Sequence, residues 1–127
     1  MDTKSLHVIA EFWDCEVDLT DVGFLRDHMV VAANEANANP INIFANSFTP
    51  PGVTVLIAVE ESHLSIHTWP VEKYAAIDIF TCGDNTDPDK AIDYLRYVLN
   101  PQTVHVARVE RGNKNIGITF VNEYCYH

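Results

Sequence analysis

The run Glu60-Glu61-Ser62-His63-Leu64-Ser65-Ile66-His67-Thr68-Trp69-Pro70 is the densest set of chemistry-bearing side chains in the sequence, and apolar stretches flank it on both sides. Hydroxyls, carboxylates and imidazoles in such a setting can serve as nucleophiles, general bases or metal ligands. Side chains alternate along a strand, which puts His63, Ser65, His67 and Trp69 on one face and Leu64, Ile66 and Thr68 on the other. The two histidines are then about 13 Å apart, too far for one zinc ion, so no metal is expected. The plainer reading of both is a partly buried histidine hydrogen-bonded to backbone. Cys15, Cys82 and Cys125 are odd in number and lack a CxxC spacing, which encodes neither a disulfide framework nor a zinc ribbon. Free thiols follow, and by residue type alone each reads as a small buried hydrophobe.

These residues need strands to hold them. Leu6 to Trp13 is rich in β-formers, and Asp18 to Asp21 offer N-caps for a helix running to about Asn37. Phe24, Leu25, His28, Met29, Ala32, Ala33 and Ala36 form its apolar stripe, and Asn37-Ala38-Asn39-Pro40 stops it. Strands are predicted at Ile41 to Phe48, Val53 to Glu60, His63 to Trp69 and Tyr74 to Cys82, with a turn at Thr49-Pro50-Pro51-Gly52. A second helix starts at Pro88 with Thr86 or Asp87 as cap, buries Ile92, Leu95, Val98 and Leu99, and ends at Asn100-Pro101. Thr103 to Val109 and Ile116 to Val121 complete the set. The pattern predicts a single α+β domain over residues 1–127, a two-layer sandwich of a mostly antiparallel sheet with two helices on one face.

At 127 residues, 47% hydrophobic and 20% charged, the chain has globular composition and length enough for its own core. Its net charge of −10 repels phosphate backbones and anionic lipid, which disfavours nucleic-acid and membrane partners and suits a cationic or zwitterionic small molecule. No apolar stretch approaches the roughly 20 residues that span a bilayer. The first residues carry Lys4 but soon Glu11 and Asp14, unlike a secretory signal, so a cytoplasmic location is expected.

Glu61-Ser62-His63-Leu64-Ser65-Ile66-His67-Thr68-Trp69-Pro70, followed by Tyr74-Ala75-Ala76-Ile77-Asp78-Ile79-Phe80-Thr81-Cys82-Gly83, resembles the bacterial and archaeal S-adenosylmethionine decarboxylase proenzyme family. The similarity extends from Glu11-Phe12-Trp13-Asp14-Cys15 through Phe48, Pro51-Gly52-Val53 and Asp87-Pro88 to His105-Val106 and Glu110-Arg111-Gly112. It implies autocatalytic cleavage between Glu61 and Ser62 of a zymogen, giving a β chain of 1–61 and an α chain of 62–127 headed by a pyruvoyl group made from Ser62. In that chemistry the Ser62 hydroxyl attacks the Glu61 carbonyl, and loss of the Ser62 α-proton expels the Glu61 carboxylate. The resemblance puts the base at His67. A pyruvoyl ketone holds a substrate amine as a Schiff base and accepts the electrons that carbon dioxide leaves behind. The proton donor to the substrate maps to Cys82, whose ordinary pKa of about 8.5 keeps it protonated at neutral pH.

Thr54 stands where the family commonly has Ser and implies a hydroxyl supporting processing, against an ordinary β-branched strand residue. Phe48 matches an aromatic near the substrate's adenine, against simple core packing. The implied assembly is a heterotetramer of two α and two β chains with sites near the interface, and the implied product is the aminopropyl donor for spermidine and polyamine biosynthesis. Three departures bear on the substrate. Val71 follows Trp69-Pro70 where the family has a ribose-binding Glu, with Glu72 one place later and expected to point to the opposite face; Asn46-Ser47 replaces a His-Arg or His-Lys pair; and Thr54-Val55 replaces Ser-Gly. A pyruvoyl-dependent arginine or ornithine decarboxylase is therefore the alternative.

Overall fold

The computed structural model describes residues 2–49 and 51–127; Pro50, in the predicted turn, lies outside them. Chain order is β1 (Ser5–Trp13), α1 (Val22–Glu35), β2 (Asn42–Phe48), β3 (Gly52–Val59), β4 (Ser62–Trp69), β5 (Tyr74–Cys82), α2 (Pro88–Leu99), β6 (Thr103–Asn113) and β7 (Gly117–Tyr126). The strands form one sheet in the order β2-β3-β4-β5-β1-β6-β7, antiparallel at every pairing. The expected α+β sandwich is the observed one.

Both helices begin where capping chemistry predicts. The Asp21 carboxylate accepts the Phe24 N–H at 3.0 Å, and the Asp87 carboxylate accepts the Asp89 N–H at 3.0 Å with Pro88 at the first turn. Helix α1 ends at Glu35, two residues before expectation, because Asn37 takes the left-handed conformation (φ 60°) that breaks the ladder and that asparagine tolerates. One sheet face is sealed by the helices: Phe12, Ile57, Leu64, Ile66 and Ile79 meet Leu25, Met29, Ile92, Leu95 and Leu99, all buried. Burial of each such side chain contributes about 1.5–3 kcal/mol. Thr68, the buried hydroxyl of β4 on this face, donates to the Leu19 carbonyl and accepts the Val53 N–H, each at 2.9 Å, which ties the approach to α1 onto the sheet.

Three expectations need correction at the chain's end. Strand β6 runs to Asn113 rather than Val109, and β7 spans Gly117–Tyr126 rather than ending at Val121. The end of β6 (Glu110, Asn113) pairs with the start of β7 (Thr119, Gly117), the end of β7 (Asn122 to Tyr126) pairs back along Arg108 to Val104, and most of β7 is exposed, so burial leaves little alternating pattern to read there. Cys125 is exposed on edge strand β7, not a buried hydrophobe, whereas Cys15 is buried, and burial together with the Asp14 charge pushes its thiol up to about 12.

The other sheet face has no layer over it. Ile9, Phe44, Leu56 and Trp69 are each at least 42% exposed there, around a polar centre from β1, β4 and β5. An apolar face of this kind on a small protein marks a surface that something covers.

Candidate active site

Strands β3 and β4 are joined by Glu60 and Glu61 alone, with Val59 paired to Ser62 across the hairpin. Glu61 sits in the left-handed region (φ 60°), a conformation that costs a non-glycine residue about 1–2 kcal/mol. The strain falls on the residue whose carbonyl precedes Ser62. Strand β5 ends alongside, and the Cys82 thiol donates to that Glu61 carbonyl oxygen at 3.2 Å. The same donor would meet negative charge developing on this oxygen if Ser62 attacked the carbon. A cleft of about 260 Å³ opens here, lined by Asn37, Asn39, Val59, Ser62, Cys82 and Thr86. The structure thus brings Glu61, Ser62 and Cys82 together, although Cys82 and Ser62 lie 20 positions apart in the sequence and on different strands.

His67, Thr54 and Phe48 lie elsewhere. Thr54 pairs with His67 across β3 and β4, and its Oγ1 hydrogen-bonds His67 Nδ1 at 3.0 Å. The imidazole is thus bonded to a side chain, not to backbone as the plainer reading has it. Five residues of strand separate His67 from Ser62, about 16 Å, so within one chain the imidazole cannot reach the Ser62 α-carbon. Phe48 is farther along still, paired with Gly52 at the far end of the hairpin. Its ring fills the space over Gly52, where a Cβ would come within 2.5 Å of Phe48 and 2.9 Å of the Thr68 carbonyl. At 42% exposure Phe48 is not a core residue.

Beside this second group lies an aromatic stack: Trp13 on Tyr74 with centroids 4.1 Å apart, and Trp69 on Tyr74 at 5.1 Å. The Tyr74 hydroxyl donates to Glu11 at 2.8 Å; burial and the Glu11 carboxylate push the phenol up to about 12. Pro70 to Lys73 form a turn, not an extended segment, so strand alternation does not decide where Glu72 points; Val71 and Glu72 are both exposed. Asn46 is exposed opposite Thr54. The departures Asn46, Val55 and Val71 therefore gather at the His67 end of the sheet, away from Ser62.

Between the two groups lies a cluster that the motif reading missed. Asp78 Oδ2 accepts from His7 Nε2 at 2.7 Å and from His63 Nε2 at 3.0 Å, and Asp78 Oδ1 accepts from the Ser65 hydroxyl. Burial opposes ionisation of Asp78, but these hydrogen bonds from His7, Ser65 and His63 outweigh it and hold the carboxyl well below the usual carboxylate range. Asp78 is the one charged residue in the otherwise apolar and neutral β5, a signal visible in the sequence; His7 and His63 are brought to it only by pairing across three strands. Ligand atoms of His7, His63 and Asp78 lie within 4.8 Å of one another, a spacing a cation could use. Arg111 argues against that use. Its guanidinium can only donate, and it donates to His7 Nδ1 at 3.2 Å, which leaves the single imidazole proton on Nε2, the atom a cation would need bare.

The family comparison agrees with the motifs. The sequence profile described as S-adenosylmethionine decarboxylase matches residues 6–112. The chain belongs to the S-adenosylmethionine decarboxylase family. A relative from Thermosipho africanus, an S-adenosylmethionine decarboxylase proenzyme, is 46% identical over 120 residues, covering 93% of this chain and 92% of the relative. The S-adenosylmethionine decarboxylase proenzyme 2 of Bacillus cereus is 44% identical over 111 residues, covering 87% and 90%. Among solved structures, the adenosylmethionine decarboxylase of Aquifex aeolicus superposes with a TM-score of 0.78 at 32% identity, covering 89% of this chain and 94% of that one. The Trypanosoma brucei enzyme shares the fold at 16% identity (TM-score 0.57), and this decarboxylase-family chain matches only 45% of its length.

Proposed function

We propose that this chain is a self-processing carboxy-lyase that cuts itself between Glu61 and Ser62 and then decarboxylates S-adenosyl-L-methionine, yielding the aminopropyl donor used for spermidine. The carrying observation is the Cys82 thiol on the carbonyl of a left-handed Glu61, immediately before a serine. That geometry suits a pyruvoyl group, since the group is made from Ser62 and its formation begins with the attack of the Ser62 hydroxyl on this carbonyl. Ser62 Oγ adds to the Glu61 carbon, the Cys82 S–H steadies the oxyanion, and the amide becomes an ester. A base then takes the Ser62 α-proton and the Glu61 carboxylate departs; the dehydroalanine left at position 62 tautomerises to an imine, which water hydrolyses to the ketone with release of ammonia. The pyruvoyl supplies an electron sink for decarboxylation once made. For turnover, Cys82 stands beside position 62, where its thiol can deliver a proton to the substrate α-carbon. The substrate reading rests on the family and on the closeness of its relatives. No helix among the described residues is long and apolar enough to cross a membrane, in keeping with a cytoplasmic enzyme.

The distance from His67 to Ser62 supports an assembly in which His67 serves the site of a second copy. Two copies packed by their uncovered faces about a two-fold axis bring the Thr54–His67 pair of one against Ser62 and Cys82 of the other, twice over, because a two-fold interface is self-complementary. Phe48 and the Trp69–Tyr74 aromatics then flank the partner's site. The cut assembly is the heterotetramer of two α and two β chains. Co-expressing His67→Ala with Ser62→Ala at equal levels tests this. The His67→Ala chain, uncut or very slowly cut alone, becomes cut in about half of its copies, those paired with a chain that supplies His67. Were His67 to act within its own chain, mixing would rescue nothing.

A further inference from the structure

Cleavage turns position 62 from mid-chain into a chain end, and chain ends fray unless something ties them down. Before the cut, Ser62 is held through Glu61 and the two-residue hairpin. Afterwards only β4 holds it, beginning with His63. The imidazole of His63 is fixed on three sides: Nε2 bonds Asp78 at 3.0 Å, the His7 ring meets it edge-on with centroids 5.8 Å apart, and Phe80 lies 5.7 Å away. Behind them Arg111 donates to His7 and covers the outer face of Phe80, its guanidinium carbon 4.5 Å from the ring centroid. We infer that Asp78, backed by His7 and Arg111, is a positioning residue that anchors His63 and so keeps the new α-chain terminus at Cys82 after cleavage.

The chemistry of the cluster fits a fixed anchor. Arg111 forces the His7 proton onto Nε2, so His7 can only donate to Asp78. Asp78 then receives three donors, from His7, His63 and Ser65, which no neutral amide could accept together. The charges of Arg111 and Asp78 cancel, and His63 needs only its Nε2 proton for its bond. A second sheet can therefore cover the cluster without burying an unpaired charge.

The inference rests on the proposed cleavage at Ser62, and the experiment separates the two. Asp78→Asn is made in the wild-type chain and in the uncut Ser62→Ala chain, and hydrogen exchange is followed at the amides of residues 63–66. In the cut protein Asp78→Asn is expected to speed exchange there about tenfold or more, and in the uncut chain to change it little. The cut variant also loses about tenfold or more in kcat with KM nearly unchanged, since the terminus moves while the substrate-binding residues stay put. Nitrogen NMR of the wild type finds His7 protonated on Nε2. Should Asp78→Asn fail to fold, Arg111→Gln, which releases the His7 tautomer, makes the same comparison. Equal acceleration in cut and uncut chains makes the cluster a general brace and overturns the inference, as does a His7 proton on Nδ1. A wild-type chain that is never cut overturns the cleavage reading and this inference together; a cut wild type with no effect of either variant overturns the inference alone.

Discussion

Ser62→Ala is expected to remain a single chain of residues 1–127 under conditions in which the wild type becomes fragments 1–61 and 62–127, and to release no carbon dioxide from substrate. The effect is all-or-none because no other group can replace the hydroxyl: the attack on the Glu61 carbonyl and the carbon skeleton of the pyruvoyl both come from Ser62. The fold should survive, since Ser62 is half-buried at the start of β4 and its side chain makes no hydrogen bond among the described residues. Intact mass spectrometry and a thermal melt together check this. Two fragments from the variant would mean that another residue initiates the cut.

Cys82→Ala is expected to act at two stages. It removes the donor on the Glu61 carbonyl, and because S–H is a weak donor the cleavage should slow by at most about 10²-fold. Turnover of the fraction that is cut should fall further, by about 10²–10⁴-fold, the range for a lost general acid. Without a directed proton, some turnovers place it on the wrong carbon and leave position 62 as alanine, detectable at the new terminus by mass spectrometry. If Cys82 only filled space, the variant would lose stability through a small cavity while its cut fraction kept the wild-type rate. A cleavage time course followed by turnover on the cut fraction separates these outcomes.

Period and capping made most of the fold legible. The α1 stripe, a cap among Asp18 to Asp21 and another at Thr86 or Asp87, Pro88 at a first turn and the alternation of β4 were legible, and the structure selects Asp21 and Asp87 as the caps. The strands β6 and β7 were legible but their full lengths were not, since exposed strand leaves little burial pattern around Glu110, Asn113 and Asn122. Of the site, Ser62 and Cys82 were legible only through resemblance to a family, because their meeting depends on strand β5 ending beside the β3–β4 turn. That His67 cannot serve Ser62 in the same chain was legible: the strand arithmetic that separates His63 from His67 also separates Ser62 from His67. The Asp78 cluster needed the registers of three strands, which no single segment carries.

The most direct measurement is carbon dioxide release by the purified, cut protein from carboxyl-labelled S-adenosyl-L-methionine, L-arginine and L-ornithine assayed in parallel. Release from S-adenosyl-L-methionine well above the other two, abolished in Ser62→Ala, is the predicted result. Release chiefly from arginine or ornithine would mean that Val71 and its neighbouring departures have redirected the pocket, and no release from any of the three by a fully cut protein would contradict the assignment as a decarboxylase of these substrates.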